Sequence, residues 1–111
     1  MTAPVSVLVP TLDEELNLPE CLDSLEWADE VYVVDSYSRD RTLEIAREHG
    51  ANVVQHAFES YSRQKNWALD TLPFRNEWVL IVDADERVTP ELRCEIEQVL
   101  ASSTFDGYYL N

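Results

Sequence analysis

Residues Trp78–Glu86 read WVLIVDADE, an apolar run that stops abruptly at two aspartates. Trp78, Val79, Leu80, Ile81 and Val82 carry no charge, and the run is too short for a core helix. Such a run predicts a strand buried on both faces, the mark of a parallel sheet. Asp83 marks where that strand meets solvent, and Asp85 follows two residues later.

Working outward, the same alternation fills the chain. Val5–Val9 predicts a first strand, stopped by Pro10. Asn17 reads as an N-cap with Glu20 three residues on, the spacing of a capping box, and Leu18, Leu22 and Leu25 follow at helical spacing. Glu30–Val34 predicts a second strand ending at Asp35, followed by a polar turn over residues 36–40. Leu43, Ile45 and Ala46 predict a helix that Asp40 caps, with His49 in its last turn and Gly50 at the C′ position. Ala51–Gln55 predicts a third strand, and Ser60 caps a helix that Pro73 ends. Thr89-Pro90 opens another helix, a capping threonine and then proline at the first helical position. Leu92, Ile96, Val99 and Leu100 form its apolar stripe. A turn at Asp106-Gly107 leads into Tyr108-Tyr109-Leu110, the start of a fifth strand in which the chain stops. Strands separated by helices imply right-handed crossovers and an α/β fold with helices on both faces of a mainly parallel sheet.

A length of 111 residues suits one domain but is short for an enzyme that must hold two substrates. The formal charge is −14, from 22 acids against 8 bases, and Lys65 is the only lysine. No basic patch exists to neutralise a phosphate backbone, so nucleic acid is excluded as a partner. An anionic ligand would need a cation or a helix N-terminus to hold it. No signal peptide or membrane-spanning run is present, which points to the cytoplasm. Cys21 and Cys94 lie far apart, outside any CxxC, and read as small buried apolar residues. Trp67 and Trp78 read as core residues, and His56 as a loop residue. With two glycines in the chain, neither a GxGxxG turn nor a P-loop is present.

In an open parallel sheet, ligands bind beyond the carboxyl ends of the strands. Acids recur at those ends: Asp13, Glu14 and Glu15 after the first strand, Asp35 at the second, Asp83 and Asp85 at the fourth. Capping explains Asp40 and could explain Asp13. It explains Asp83 and Asp85 poorly, because the next helix already has Thr89 as its cap. Two carboxylates at i and i+2 repel one another unless a divalent ion neutralises them. Hard oxygen ligands suit Mg2+ or Mn2+.

Four segments, in order, resemble family 2 glycosyltransferases of the GT-A fold. Ser6–Glu15, SVLVPTLDEE, is similar to the opening strand and its Pro-Thr-x-Asn-Glu-Glu turn. Val33–Thr42, VVDSYSRDRT, is similar to VVDSGSTDRT; Gln64–Leu69, QKNWAL, to the helix with a basic residue beside asparagine; and Trp78–Glu86 to the strand delivering a DxD motif. The wording is closest to a bacterial subgroup that adds sugars to the lipopolysaccharide core. The resemblance implies a Rossmann-like, truncated GT-A domain spanning residues 1–111 and an inverting transfer from a nucleotide-diphospho-sugar.

For the site, the resemblance implies that Pro10, Thr11, Leu12 and Glu14 line the base and ribose. It implies that Asp35 accepts a hydrogen bond from the base, and that Arg63 and Lys65 lie near the base or diphosphate. Asp83, Ala84 and Asp85 should meet the ribose and the metal, with Asp85 as the main metal ligand. The catalytic base and the acceptor site would lie beyond Asn111. The implied acceptor is a glycan or a lipid-linked molecule, which the whole enzyme would meet at the inner face of the membrane. Three positions depart from the pattern: Asp13 for asparagine, Arg39 for threonine, and Tyr37 for a glycine, where φ > 0 would strain a tyrosine. A binding module without transfer activity is the alternative reading. A phosphoryl receiver domain would need an aspartate ending the third strand, where Gln55-His56 stands.

Overall fold

The computed structural model describes residues 3–102 and 108–110. The elements alternate as expected: β1 (Ala3–Thr11), α1 (Leu18–Asp23), β2 (Ala28–Asp35), α2 (Thr42–Glu48), β3 (Asn52–Gln55), α3 (Tyr61–Thr71), β4 (Trp78–Ile81), α4 (Pro90–Ser102) and β5 (Tyr108–Leu110). The five strands form one parallel sheet in the order β3-β2-β1-β4-β5. The expected Asp106-Gly107 turn lies outside the described residues.

Alternation along β1 decides which side each helix covers. Val5, Val7 and Val9 point to one face, where they pack with Leu18, Cys21 and Leu22 of α1, Ile45 and Ala46 of α2, and Ile96 of α4. Leu8 points to the other face, with Tyr32, Val34, Val79 and Ile81, and is covered by Ala68 and Trp67 of α3. The chain steps from β1 to β2 to β3 under α1 and α2, then returns across the opposite face through α3 to β4. A reversal of direction with a reversal of face keeps one hand for these crossovers. It also places the topological switch point between the carboxyl ends of β1 and β4, where such sheets bind ligands.

Several local expectations hold for the reasons anticipated. Gly50 has φ +77, and the pair Gly50 N–H to Arg47 O (3.0 Å) and Ala51 N–H to Ala46 O (3.1 Å) closes α2 in a Schellman motif. Ser60 caps α3 by accepting from Arg63 N–H at 3.2 Å, and Thr89 caps α4 by accepting from Leu92 N–H at 3.1 Å. His49 bridges the Ile45 carbonyl (2.9 Å) and Asp23 (3.1 Å) at the C-terminus of α2.

Other expectations are corrected. Pro10 does not stop β1, which runs on to Thr11 paired with Asp35. Proline is tolerated there because β4 has its last β1 partner at Leu8, leaving one side of Pro10 without a ladder. Asn17 makes no side-chain cap, since its backbone is helical and its amide donates instead to Glu14 at 3.3 Å. Cys94 is exposed, because it lies off the apolar stripe of α4. That stripe is only partly covered: Ile96 is buried, whereas Leu92 and Val99 stay exposed and wall a groove of about 360 Å³ with Leu80 and Val82.

At the amino end of the sheet, acids serve structure. Buried Glu30 accepts from the Ser6 hydroxyl at 2.6 Å and from the Arg75 N–H, which pins the turn before β4 against β2. The carboxyl end is where polar groups surround open space.

Candidate functional site

A cleft of about 370 Å³ opens at the switch point. Its walls are Pro10 and Thr11 at the end of β1, Leu12 and Glu14 after it, Ser36 after β2, Phe58 after β3, Tyr61 and Gln64 at the start of α3, and Asp83, Ala84 and Asp85 after β4. This volume falls in the range of small-ligand pockets, and the lining mixes aromatic rings with convergent polar groups.

The loop after β1 owes its shape to the loop after β2. Asp13 N–H donates to Ser38 Oγ at 2.8 Å, and Arg39 N–H donates to Asp13 Oδ1 at 2.8 Å. Glu14 N–H donates to Thr42 Oγ1 at 2.9 Å, and Glu15 N–H to Asp40 Oδ2 at 3.1 Å. Short polar side chains thus satisfy backbone donors that neither strand nor helix can pair. Burial alone would push Asp40 up, but hydrogen bonds from the Thr42 hydroxyl, the Thr42 amide and the Glu15 amide hold it below the ordinary carboxylate range. Asp13 (φ 53) and Tyr37 (φ 57) both sit in the left-handed region. Aspartate tolerates it, whereas tyrosine is strained there.

Asp35 lies beneath this crossing and not on the cleft wall. It is fully buried. Oδ1 accepts from the Thr11 hydroxyl at 2.7 Å and from the Ser38 hydroxyl, and Oδ2 accepts from Ser38 N–H at 2.8 Å. These three internal bonds hold the two loops together.

The turn after β4 is built with equal care. Asp83 N–H donates to Glu86 Oε1 at 2.8 Å, and Glu86 N–H returns a bond to Asp83 O at 2.9 Å. Arg87 donates to the carbonyls of Ala84 (3.1 Å) and Glu86 (2.8 Å) and reaches Glu20 at 3.3 Å. Below the turn, Cys21 Sγ donates to Asp83 O at 3.7 Å. Burial pushes this thiol up to about 11, so it stays protonated and keeps its donor. With its backbone held from below and behind, the turn presents half-buried Asp83 and exposed Asp85 to the cleft.

Of the residues the sequence singles out, Pro10, Thr11, Leu12, Glu14, Asp83, Ala84 and Asp85 line this one cleft. Asp35, Arg63 and Lys65 do not line the cleft. Arg63 is exposed and paired with Glu59 at 2.8 Å, its i−4 neighbour, which competes with any ligand. Lys65 Nζ lies 6.0 Å from the centre of the ring of Tyr61, which is a wall residue. His56 stacks on Trp67 at 3.8 Å and takes no part in the lining. Ser36, Phe58 and Gln64 join the cleft without being singled out in the sequence. Each follows a strand or opens a helix at the carboxyl edge, the signal that would have found them.

Among the described residues, no three His, Cys, Asp or Glu side chains form a cage that could hold a metal ion. A divalent ion that keeps water and substrate phosphates as ligands needs only one or two carboxylates, and Asp83 and Asp85 fit that donor set.

The sheet order, the helices on both faces and the cleft define a Rossmann-like GT-A nucleotide-diphospho-sugar transferase fold. S. aureus TarS 1-349 shares it with a TM-score of 0.67 and 31% identity, over 91% of this chain and 32% of that one. TarS 1-349 is also known in complex with UDP and with UDP-GlcNAc. The model of Glycosyl transferase family 2 matches residues 6–108, and the chain belongs to that family. An uncharacterized glycosyltransferase of Rickettsia bellii is 39% identical over 109 residues, covering 97% of this chain and 36% of its own length. The lipopolysaccharide core biosynthesis glycosyltransferase LpsC of Rhizobium meliloti is 31% identical, over 90% of this chain and 38% of its own length. The chain thus spans little more than a third of these relatives. Among the described residues, no helix is long and apolar enough to cross a membrane.

Proposed function

We propose that residues 1–111 are the donor-binding part of a glycosyltransferase that moves a sugar from a nucleotide-diphospho-sugar to an acceptor, with inversion. The observation that carries this reading is the convergence of the Pro10–Leu12 loop and the Asp83–Asp85 turn on one cleft at the switch point. The likeness to TarS, known with UDP and UDP-GlcNAc, supports a uridine-type donor. The likeness to LpsC supports a role in lipopolysaccharide or other cell-envelope polysaccharide synthesis, with a glycan or lipid-linked acceptor. Such a role sets the whole enzyme in the cytoplasm at the inner face of the membrane.

In this reading the β1 loop and Ser36 receive the nucleoside, and Glu14 faces the ribose. Asp85 and Asp83 would hold Mg2+ or Mn2+, which when bound offsets the charge of the diphosphate and of the departing nucleotide. An acidic protein of charge −14 would otherwise repel that ligand. The residues of this chain bind and orient the donor. No side chain in the cleft is assigned as the base that deprotonates the acceptor.

Calorimetric titration with UDP, GDP and CMP, with and without Mn2+, tests the proposal. One nucleotide is expected to bind, more tightly with the ion. No binding by the folded chain would refute the reading. The second reading, binding without transfer, is favoured by the short span relative to LpsC and the Rickettsia protein. Sugar transfer by this chain alone would exclude it.

A further inference from the structure

The turn after β4 closes on a single pair of residues. Glu86 N–H donates to Asp83 O at 2.9 Å, and Asp83 N–H donates back to Glu86 Oε1 at 2.8 Å. Both backbone polar groups of Asp83 are therefore held by one residue, three positions on. Between the two stand Ala84, which is buried, and Asp85, which is exposed. This double closure limits how far the turn can open, and with it the spacing of the carboxylates at 83 and 85.

An acid that accepts from the N–H three residues before it makes half of a capping box. No helix starts here, however: α4 begins at Pro90, and Thr89 already caps it. The bond thus serves the turn itself. Glu86 also lies off the cleft. Asp83, Ala84 and Asp85 line the cleft, whereas Glu86 and Arg87 line the groove beside α4. An exposed hydrogen bond of this kind adds little to global stability. Its effect is local, and local spacing is what two carboxylates need in order to share one small ion that demands near-ideal geometry.

We propose that Glu86 is a positioning residue for the metal: its carboxyl oxygen presets the turn that carries Asp83 and Asp85, acting as an acceptor and not as a ligand or a bare charge. This role rests on the nucleotide-sugar reading of the cleft, with Asp83 and Asp85 toward Mg2+ or Mn2+. It adds a third acid to the site, one that works from the opposite side of the turn.

The test is calorimetric titration of the chain and of Glu86→Ala, Glu86→Gln and Glu86→Asp with UDP and GDP, in EDTA and across a Mn2+ series. The quantity read is the Mn2+ concentration at which the gain in nucleotide affinity is half complete. Glu86→Ala should raise it about three- to tenfold, with affinity in EDTA little changed. Glu86→Gln keeps an oxygen at the same reach and should stay within about twofold of the unsubstituted chain. Glu86→Asp is one carbon shorter and should behave like Glu86→Ala. Thermal melts identify a variant that has lost the fold, and the contrast of Gln with Asp stands without the alanine variant. Three outcomes overturn the role and leave the proposed function in place: unchanged Mn2+ dependence in folded Glu86→Ala and Glu86→Asp, a Glu86→Gln as impaired as they are, or equal losses with and without the ion. Nucleotide binding with no gain from Mn2+ in the unsubstituted chain overturns the metal site and this role together, and no nucleotide binding at all overturns the proposed function itself.

Discussion

The hydroxyl of Thr11 donates to the carboxylate of Asp35 at 2.7 Å, joining the last residue of β1 to the last residue of β2. This bond is the innermost of a series that continues outward through Ser38, Asp13, Thr42 and Asp40. The cleft wall from Pro10 to Glu14 therefore depends on Asp35, Ser38, Asp13, Thr42 and Asp40, none of which lines the cleft.

Replacing Asp35 with alanine should cost about 2–3 kcal/mol, because the buried Thr11 hydroxyl and the half-buried Ser38 amide would lose their acceptor. Urea denaturation followed by circular dichroism measures the loss. Nucleotide affinity should fall with it, as the β1 loop loosens. A stability equal to that of the unsubstituted chain would show that these bonds contribute nothing.

Tyr37 has φ 57 and a side chain that is 61% exposed, so its ring contributes little packing to offset a strained backbone. Tyr37→Gly relieves a left-handed penalty of about 1–2 kcal/mol while adding roughly 0.5–1 kcal/mol of unfolded-state entropy. The variant should be more stable by about 0.5–1 kcal/mol, read as a higher urea midpoint with an unchanged slope. A lower midpoint would place the ring in a stabilising contact.

Asp85→Ala should abolish the gain in nucleotide affinity that Mn2+ confers, a loss on the order of tenfold or more, and leave metal-free binding nearly as it was. Arg87→Ala should reduce the same gain in part, since its bonds to the Ala84 and Glu86 carbonyls hold the turn that presents Asp85. Titrations in Mn2+ and in EDTA separate the two effects. Equal metal dependence in Asp85→Ala would remove this residue from the metal site.

The two cysteines should behave oppositely. Cys94 is exposed and should react with a thiol reagent at pH 8, whereas buried Cys21 should react only after unfolding. Burial raises Cys21 from 9.0 to about 11 in the folded chain. A raised folded value means that its contribution is complete below pH 9 and is lost as pH climbs toward 11. That window should cost about 2–3 kcal/mol of stability. Cys21→Ala should flatten the decline between pH 9 and 11, which pH-dependent urea unfolding will show.

Much of this architecture was legible from local chemistry. Gly50 at C′, Ser60 and Thr89 at N-caps, and Pro73 after α3 each act within a few residues of their own position, so composition and spacing reveal them. Asp83 and Asp85 were legible for the same reason: a buried strand must end where carboxylates begin. Asp35 was not. Its sequence context, a strand end followed by a polar turn, is the same as that of a ligand-facing acid. Ser38 binds it locally, but its full burial also takes Thr11, which approaches from a strand 24 positions earlier.

The alternation of strands and helices, the parallel direction and the edge at which acids gather follow from the sequence, because hydrophobic periodicity and turn residues operate through near neighbours. Which of those acids face open space was decided by tertiary packing alone. Asp35 ends β2 and Asp83 follows β4, yet one is fully buried under the crossing of two loops and the other is half-buried on the cleft wall. Burial of a side chain is a property of everything packed around it, and elements distant in the chain supply most of that surrounding.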